Sequence, residues 1–244
     1  HKPELIIHLA AYANVRISEE FPEEYINNNV KLTCNILNKI KKLDYTPLLV
    51  YASSSSVYGK NTIIPFCEKD SLNNICSPYA LSKKMCEDLV DMYCRINKLK
   101  AIGLRFFTVY GPRGRPDMAV FKFLKNISIE KEIIMFGDGS MERDYTYIDD
   151  IIAGIVNACK LKLENGMHKI YNLGNNSPIK LIDFITLCEK ITEKKAIIIN
   201  KEAELGDVNI TYANIDKAKN ELNFNPQIKF EDGLKETYNW IKTI

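Results

Sequence analysis

The 244-residue sequence reads as an α/β fold built on a parallel sheet, followed by a smaller mixed α/β portion. Three observations carry that reading. Short apolar runs alternate with longer amphipathic stretches. The runs are mostly apolar rather than alternating, as in strands buried on both faces. After Gly111 the texture changes to a loop dense in Gly, Pro and Arg. A strand–helix–strand–helix–strand order with long connections implies parallel pairing through right-handed crossovers.

The elements follow in order. Glu4–Ala11 (ELIIHLAA) predicts a buried strand. Residues 19–43 place Phe21, Tyr25, Val30, Leu32, Ile36, Leu37 and Ile40 at helical spacing, and Pro47 ends that stretch. Leu48–Ser53 is the second strand, and Tyr79–Ile96 a helix with Pro78 where a first turn tolerates it. Ala101–Phe107 is the third strand, and Gly111–Pro116 a loop by composition. Beyond it come a helix near Met118–Glu130, a short strand Ile133–Phe136, and a loop through Gly137, Asp138 and Gly139. A helix over Asp149–Leu163, a strand over His168–Leu173, and helices near 181–194, 215–222 and 231–243 close the chain.

Composition narrows the function classes. With 33 basic and 31 acidic residues the net charge is +2, and no basic stripe of the kind that reads nucleic-acid phosphates stands out. The longest apolar run, Leu5–Ala13, is interrupted by His8 and is far too short to span a bilayer, and no secretory signal is visible. Seven cysteines without a Cys-x-x-Cys pair point to reduced thiols and a cytoplasmic setting. The three histidines lack metal-ligand spacing, so a metal site is not expected. The chain opens at His1-Lys2-Pro3 and runs at once into a strand, which raises the expectation that its beginning is missing.

Chemistry is concentrated in two segments. Tyr79 and Lys83 form a Tyr-x-x-x-Lys pair, which on a helix lies on one face. A neighbouring ammonium favours the phenolate and makes tyrosine usable as a general base near neutrality. Spacing alone is weak evidence, because Tyr238 and Lys242 repeat it without other support. The context strengthens it: Tyr51-Ala52-Ser53-Ser54-Ser55-Ser56-Val57-Tyr58-Gly59 is a strand ending in a serine cluster. In open parallel sheets ligands bind at the carboxyl ends of strands, where a hydroxyl can hold the oxygen that a tyrosine deprotonates.

These residues, with Leu9-Ala10-Ala11, Ser77-Pro78 and Leu104-Arg105-Phe106-Phe107, resemble the extended short-chain dehydrogenases/reductases of the nucleotide-sugar epimerase group, nearly end to end. The resemblance implies a Rossmann-like doubly wound sheet that binds NAD. It implies a catalytic triad of Ser54, Tyr79 and Lys83, and cofactor contacts from Leu9, Ala10, Ala11, Ala52, Tyr79, Lys83 and Phe106. It also implies an NAD-binding domain over 1–111 and 145–174, truncated at its start, and a nucleotide-sugar domain over 112–144 and 175–244. The family opens with a glycine-rich turn that seats the cofactor pyrophosphate, and these residues contain none.

Two further blocks narrow the group. Phe107–Pro112 followed by Gly114–Ala119 resembles UDP-glucuronate 4-epimerases, which implies that Arg115 and Thr108 meet the sugar carboxylate; a guanidinium fork suits a carboxylate. Met141–Asp150 resembles the segment whose arginine, here Arg143, meets the UDP diphosphate. Phe136 matches a position near the uracil ring, Asp207 a ribose contact, and Ser55 and Ser56 stand beside the substrate. Related 4,6-dehydratases carry Asp-Glu where Ser55 and Ser56 stand, so dehydration is disfavoured. The resulting expectation is C4 inversion of a UDP-hexuronic acid. The alternatives are a UDP-glucose or UDP-N-acetylglucosamine 4-epimerase, and a non-catalytic sugar-nucleotide-binding relative. The family usually dimerises through two helices, which implies a homodimer through those near 19–43 and 79–96.

Overall fold

The computed structural model describes residues 2–202 and 209–244. Its strands are β1 (Leu5–His8), β2 (Leu48–Ser54), β3 (Lys100–Phe106), β4 (Thr108–Tyr110), β5 (Glu132–Phe136), β6 (Glu142–Tyr147), β7 (His168–Leu173), β8 (Pro178–Lys180), β9 (Ile197–Lys201) and β10 (Ile210–Thr211). The chain forms two compact units. The first holds residues up to Phe106, Ala153–Leu173 and Asn214–Phe224, and the second holds Phe107–Ile152, Gly174–Ala213 and Asn225–Ile244. The units part at different places from those the sequence suggests: 107–111 and 145–152 belong to the second unit, and 214–224 returns to the first.

The first unit is a four-stranded parallel sheet in the order β1-β2-β3-β7. Its central strands are buried because their residues are predominantly apolar: Leu49 and Val50 in β2 pair with Ala101 and Ile102 in β3, and these four, with Tyr51 and Leu104, are no more than 2% exposed. Gly103 has a local reason. A Cβ there would lie 2.6 Å from the Tyr51 hydroxyl, which crosses over it to reach His168 Nε2 at 2.9 Å.

The helix Pro78–Asn97 starts where Ser77 accepts a hydrogen bond from the Ala80 amide and Pro78 occupies the first turn. It packs Val90 and Cys94 onto Leu37, Ile40, Leu49 and Tyr51. Yet its buried face also carries Lys83 and Glu87, two groups rarely placed inside without a task. The single helix expected over 19–43 is instead a series: Val15–Glu20, Pro22–Tyr25, one π-turn at Ile26–Val30, and Lys31–Ile40. Phe21 breaks the first from the second because Pro22 cannot continue a preceding turn. At the π-turn, Asn29 accepts from the Tyr12 amide and donates to the Tyr12 carbonyl and to Ser82 Oγ, which anchors the segment after β1.

In the second unit β6 pairs in parallel with β4 and β10 and antiparallel with β8, while β5 and β9 form a separate parallel pair. Its core is aromatic: Tyr145 stacks on Phe230 at 4.8 Å and Phe123 on Phe184 at 5.2 Å. Five of these strands, β4, β6, β8, β9 and β10, are absent from the sequence reading. No helix of the described residues is long and apolar enough to cross a membrane.

Candidate active site

In the first unit, three strand ends carry the expected groups. β1 ends at His8, opposite Tyr51, so Leu9, Ala10 and Ala11 leave the sheet beside Ala52. Ser54 and Phe106 are register partners at the carboxyl ends of β2 and β3. Leu9 and Ala10 are exposed and Ala11 is half-buried, so two methyl-sized side chains leave the backbone approachable for a cofactor.

The serine cluster resolves by direction. Ser54 caps a short 3-10 turn, Ser55–Tyr58: its Oγ accepts from the Ser56 amide at 3.2 Å and donates to Ser56 Oγ at 3.1 Å. Ser53, pointing to the other face, donates to Glu87 Oε1 at 2.5 Å. Ser55 and Ser56 are half-buried on the turn.

Tyr79 stands in the first turn of its helix, half-buried, with its ring edge-on to Tyr25 at 6.2 Å and its amide donating to Ser18 Oγ at 3.1 Å. Lys83, one turn on, is 6% exposed, and its Nζ donates to the Ala52 carbonyl at 2.9 Å. The ammonium therefore sits against the strand end that carries Ser54. Burial holds the Lys83 pKa below its usual value, and the same charge, after burial itself, holds His8 down. The control pair behaves differently. Lys242 lies 5.0 Å above the Tyr238 ring centroid, a cation–π contact rather than a charge set beside a phenol oxygen.

In the second unit, Thr108 opens β4 opposite Tyr145 and is half-buried. Arg115 is gripped by Asp117 through both guanidinium edge nitrogens, Nε to Oδ1 at 2.9 Å and Nη2 to Oδ2 at 2.5 Å. Arg143 lies on β6 opposite Thr211, its Nη1 donating to the Glu142 carbonyl at 2.9 Å and the Asn209 carbonyl at 3.4 Å. Phe136 is the last residue of β5, and Asp207 lies outside the described residues.

Sequence reasoning passed over Asp144, which is fully buried and accepts from the amides of Asn175, Asn176 and Ala213 at 2.7, 3.0 and 3.0 Å. Burial pushes its carboxyl up, and the amides pull it back toward ionisation. It also passed over the buried Glu87–Arg105 pair, although an arginine inside an apolar strand and a glutamate one turn after Lys83 were visible signals.

Residues 1–174 match the family model described as the NAD dependent epimerase/dehydratase family. The chain belongs to that family. It is 42% identical over 238 residues to a UDP-glucuronate 4-epimerase of Thermodesulfobacterium geofontis, covering 97% of this chain and 72% of that one. It is 43% identical over 249 residues to UDP-glucuronate 4-epimerase 5 of Arabidopsis thaliana, covering 96% of this chain and 57% of the longer plant protein. Its fold is similar to the crystal structure of the Bacillus cereus UDP-glucuronic acid 4-epimerase in complex with UDP-glucuronic acid and NAD. The TM-score is 0.91 at 35% identity, with 98% of this chain and 76% of that one covered. For a family member that uses NAD, the exposed turn after β1, the small residues there and the buried ammonium of Lys83 fit a nicotinamide-bearing cofactor at the strand ends.

Proposed function

We propose that this chain does the chemistry of an NAD-dependent epimerase that inverts C4 of a UDP-hexuronic acid, interconverting UDP-glucuronate and UDP-galacturonate through a 4-keto sugar. The observation that carries this reading is the buried Lys83 ammonium, one helical turn from Tyr79 and hydrogen-bonded at the strand end that bears Ser54. NAD, when bound, supplies the hydride acceptor and returns the hydride, so no net oxidation results.

The chain's own residues supply the rest. Tyr79 removes the 4-hydroxyl proton at its phenolate oxygen, and the Lys83 charge stabilises that phenolate. Ser54 Oγ orients the sugar oxygen, with Ser55 and Ser56 beside it. Arg143, Phe136 and Asp207 hold the UDP portion while the keto sugar turns. Arg115 and Thr108 receive the carboxylate, for which Arg115 exchanges Asp117. The first unit takes the cofactor and the second the nucleotide sugar. The test is turnover of the full-length enzyme on UDP-glucuronate, UDP-glucose and UDP-N-acetylglucosamine. Preference for either neutral sugar transfers the assignment to that epimerase.

The protein acts as a homodimer in the cytoplasm. Leu81, Met85, Met92 and Ile96 form an exposed apolar stripe along the helix Pro78–Asn97, and the seven cysteines are free thiols. Light scattering of a monomer at micromolar concentration overturns the dimer.

A further inference from the structure

Beneath the strand ends of the first unit lies a polar cluster that the proposed chemistry does not use. Arg105, 3% exposed on β3, meets Glu87, 5% exposed on the helix Pro78–Asn97, in a fork-to-fork contact. Nε donates to Oε1 at 2.9 Å and Nη2 to Oε2 at 2.8 Å. Ser53 of β2 adds its hydroxyl to the same carboxylate. Arg105 Nη1 donates to the Tyr58 hydroxyl at 2.9 Å, and that hydroxyl donates to Asn172 Oδ1 of β7 at 2.7 Å.

Stability alone does not account for such a pair. Two charges taken out of water lose about as much solvation as their attraction returns, and apolar residues of similar size commonly serve as well or better. What a bidentate pair adds is direction, because the guanidinium fork accepts a carboxylate in few orientations. Its placement shows what that direction controls. Glu87 is one turn beyond Lys83 on the same helix face, so fixing Glu87 fixes the rotation of the helix that presents Lys83 and Tyr79. Ser53 precedes Ser54, and Arg105 precedes Phe106 as its register partner's neighbour. Tyr58 closes the turn that Ser54 caps, so both ends of the serine turn are tied down.

We propose that Glu87 and Arg105 are positioning residues, which lock the catalytic helix to the ends of β2 and β3 so that Lys83, Tyr79 and Ser54 meet in register. The proposal rests on the reading of those three as the catalytic groups. Removing the lock lets the helix rotate and slide, which separates the ammonium from the phenol while substrate contacts elsewhere remain.

The test is the double variant Glu87→Met/Arg105→Met in the full-length enzyme, with Arg105→Lys as a milder partner that keeps the charge and loses the fork. Three readouts are taken: the melting temperature, kcat and KM for UDP-glucuronate across pH, and the pH titration of Tyr79 followed by tyrosine 13Cζ NMR in cofactor-free protein. Tyr79→Phe assigns the resonance. The expected result for both variants is kcat lowered about tenfold or more, KM within about threefold, and an acid limb of kcat/KM displaced to higher pH. The Tyr79 resonance should titrate at higher pH than in the wild type. A merely structural role moves the melting temperature and none of these. A folded double variant with wild-type kcat and an unmoved Tyr79 titration overturns the proposal. If the double variant does not fold, the same two readouts on Arg105→Lys decide. Should Tyr79→Phe itself keep full activity, the catalytic reading fails instead, and the two failures are thereby told apart.

Discussion

Lys83→Met separates the proposed catalytic task of this residue from its structural one, because turnover should fall steeply while stability hardly changes. Lys83 is 6% exposed and burial lowers its pKa, so the folded protein carries the charge against its solvation preference. A desolvated ammonium costs several kcal/mol, and the hydrogen bond to the Ala52 carbonyl, of the charged kind, returns about 1.5–3 kcal/mol. Methionine matches the side chain in length and needs no partner, although the Ala52 carbonyl then loses a donor at about 1 kcal/mol. These contributions nearly cancel, so the variant should lie within about 1 kcal/mol of wild type. For a chain of this size that is about 2–4 °C in melting temperature. Catalysis should fall by about 10²- to 10⁴-fold, since the general base loses the charge that makes it a base. Urea denaturation followed by circular dichroism, beside kcat on UDP-glucuronate, measures both. A variant destabilised by more than about 2 kcal/mol, or one that keeps a tenth of wild-type turnover, refutes the reasoning.

Other outcomes follow from the same geometry. Tyr79→Phe removes one hydroxyl and leaves the ring against Tyr25, so turnover should drop about 10²-fold or more at nearly unchanged stability; Tyr238→Phe should do little. Arg115→Ala should reduce kcat/KM for UDP-glucuronate roughly 10- to 150-fold, the worth of a charge-assisted hydrogen bond, and leave UDP-glucose little changed; equal loss on both sugars gives Arg115 a structural or diphosphate role. Stability should fall on acidification below about pH 6.5, the ordinary histidine value. Burial lowers the pKa of both His168 and His8, so below that pH the unfolded chain takes up protons that the folded one resists. Each histidine contributes at most about 1.4 kcal/mol per pH unit, down to its folded pKa. Urea midpoints at pH 7.5 and 5.5 measure this, His168→Gln should flatten the slope, and a chain more stable at pH 5.5 contradicts it.

The sequence disclosed the first unit well because its signals are local. Leu48–Ser53 is a largely apolar run and Ala101–Phe107 another broken only by Arg105, and Ser77-Pro78 announces a helix start. The second unit was less legible. β6 carries Glu142, Arg143 and Asp144, and nothing in a local window tells that Asp144 is buried among amides 31, 32 and 69 residues away. β4, β8 and β10 run only two or three residues, too short for any periodicity to register. In the proposed site, motif and order single out Tyr79, Lys83 and Ser54, and the structure places Lys83 against the end of the strand that carries Ser54. Which serine faces which way came only from the strand alternation that sends Ser53 to Glu87. The break at Phe21 and the π-turn at Ile26–Val30 arise from Pro22 and from the long-range grip of Asn29 on Tyr12, and helical spacing is blind to both.

The most direct test of the central claim follows the hydrogen at C4. Full-length enzyme is incubated with NAD and UDP-glucuronate deuterated at C4, and the products are read by NMR. The account predicts UDP-galacturonate that keeps the deuterium on C4, because the hydride leaves and returns without meeting solvent. Absence of UDP-galacturonate, or loss of the label to water, contradicts it.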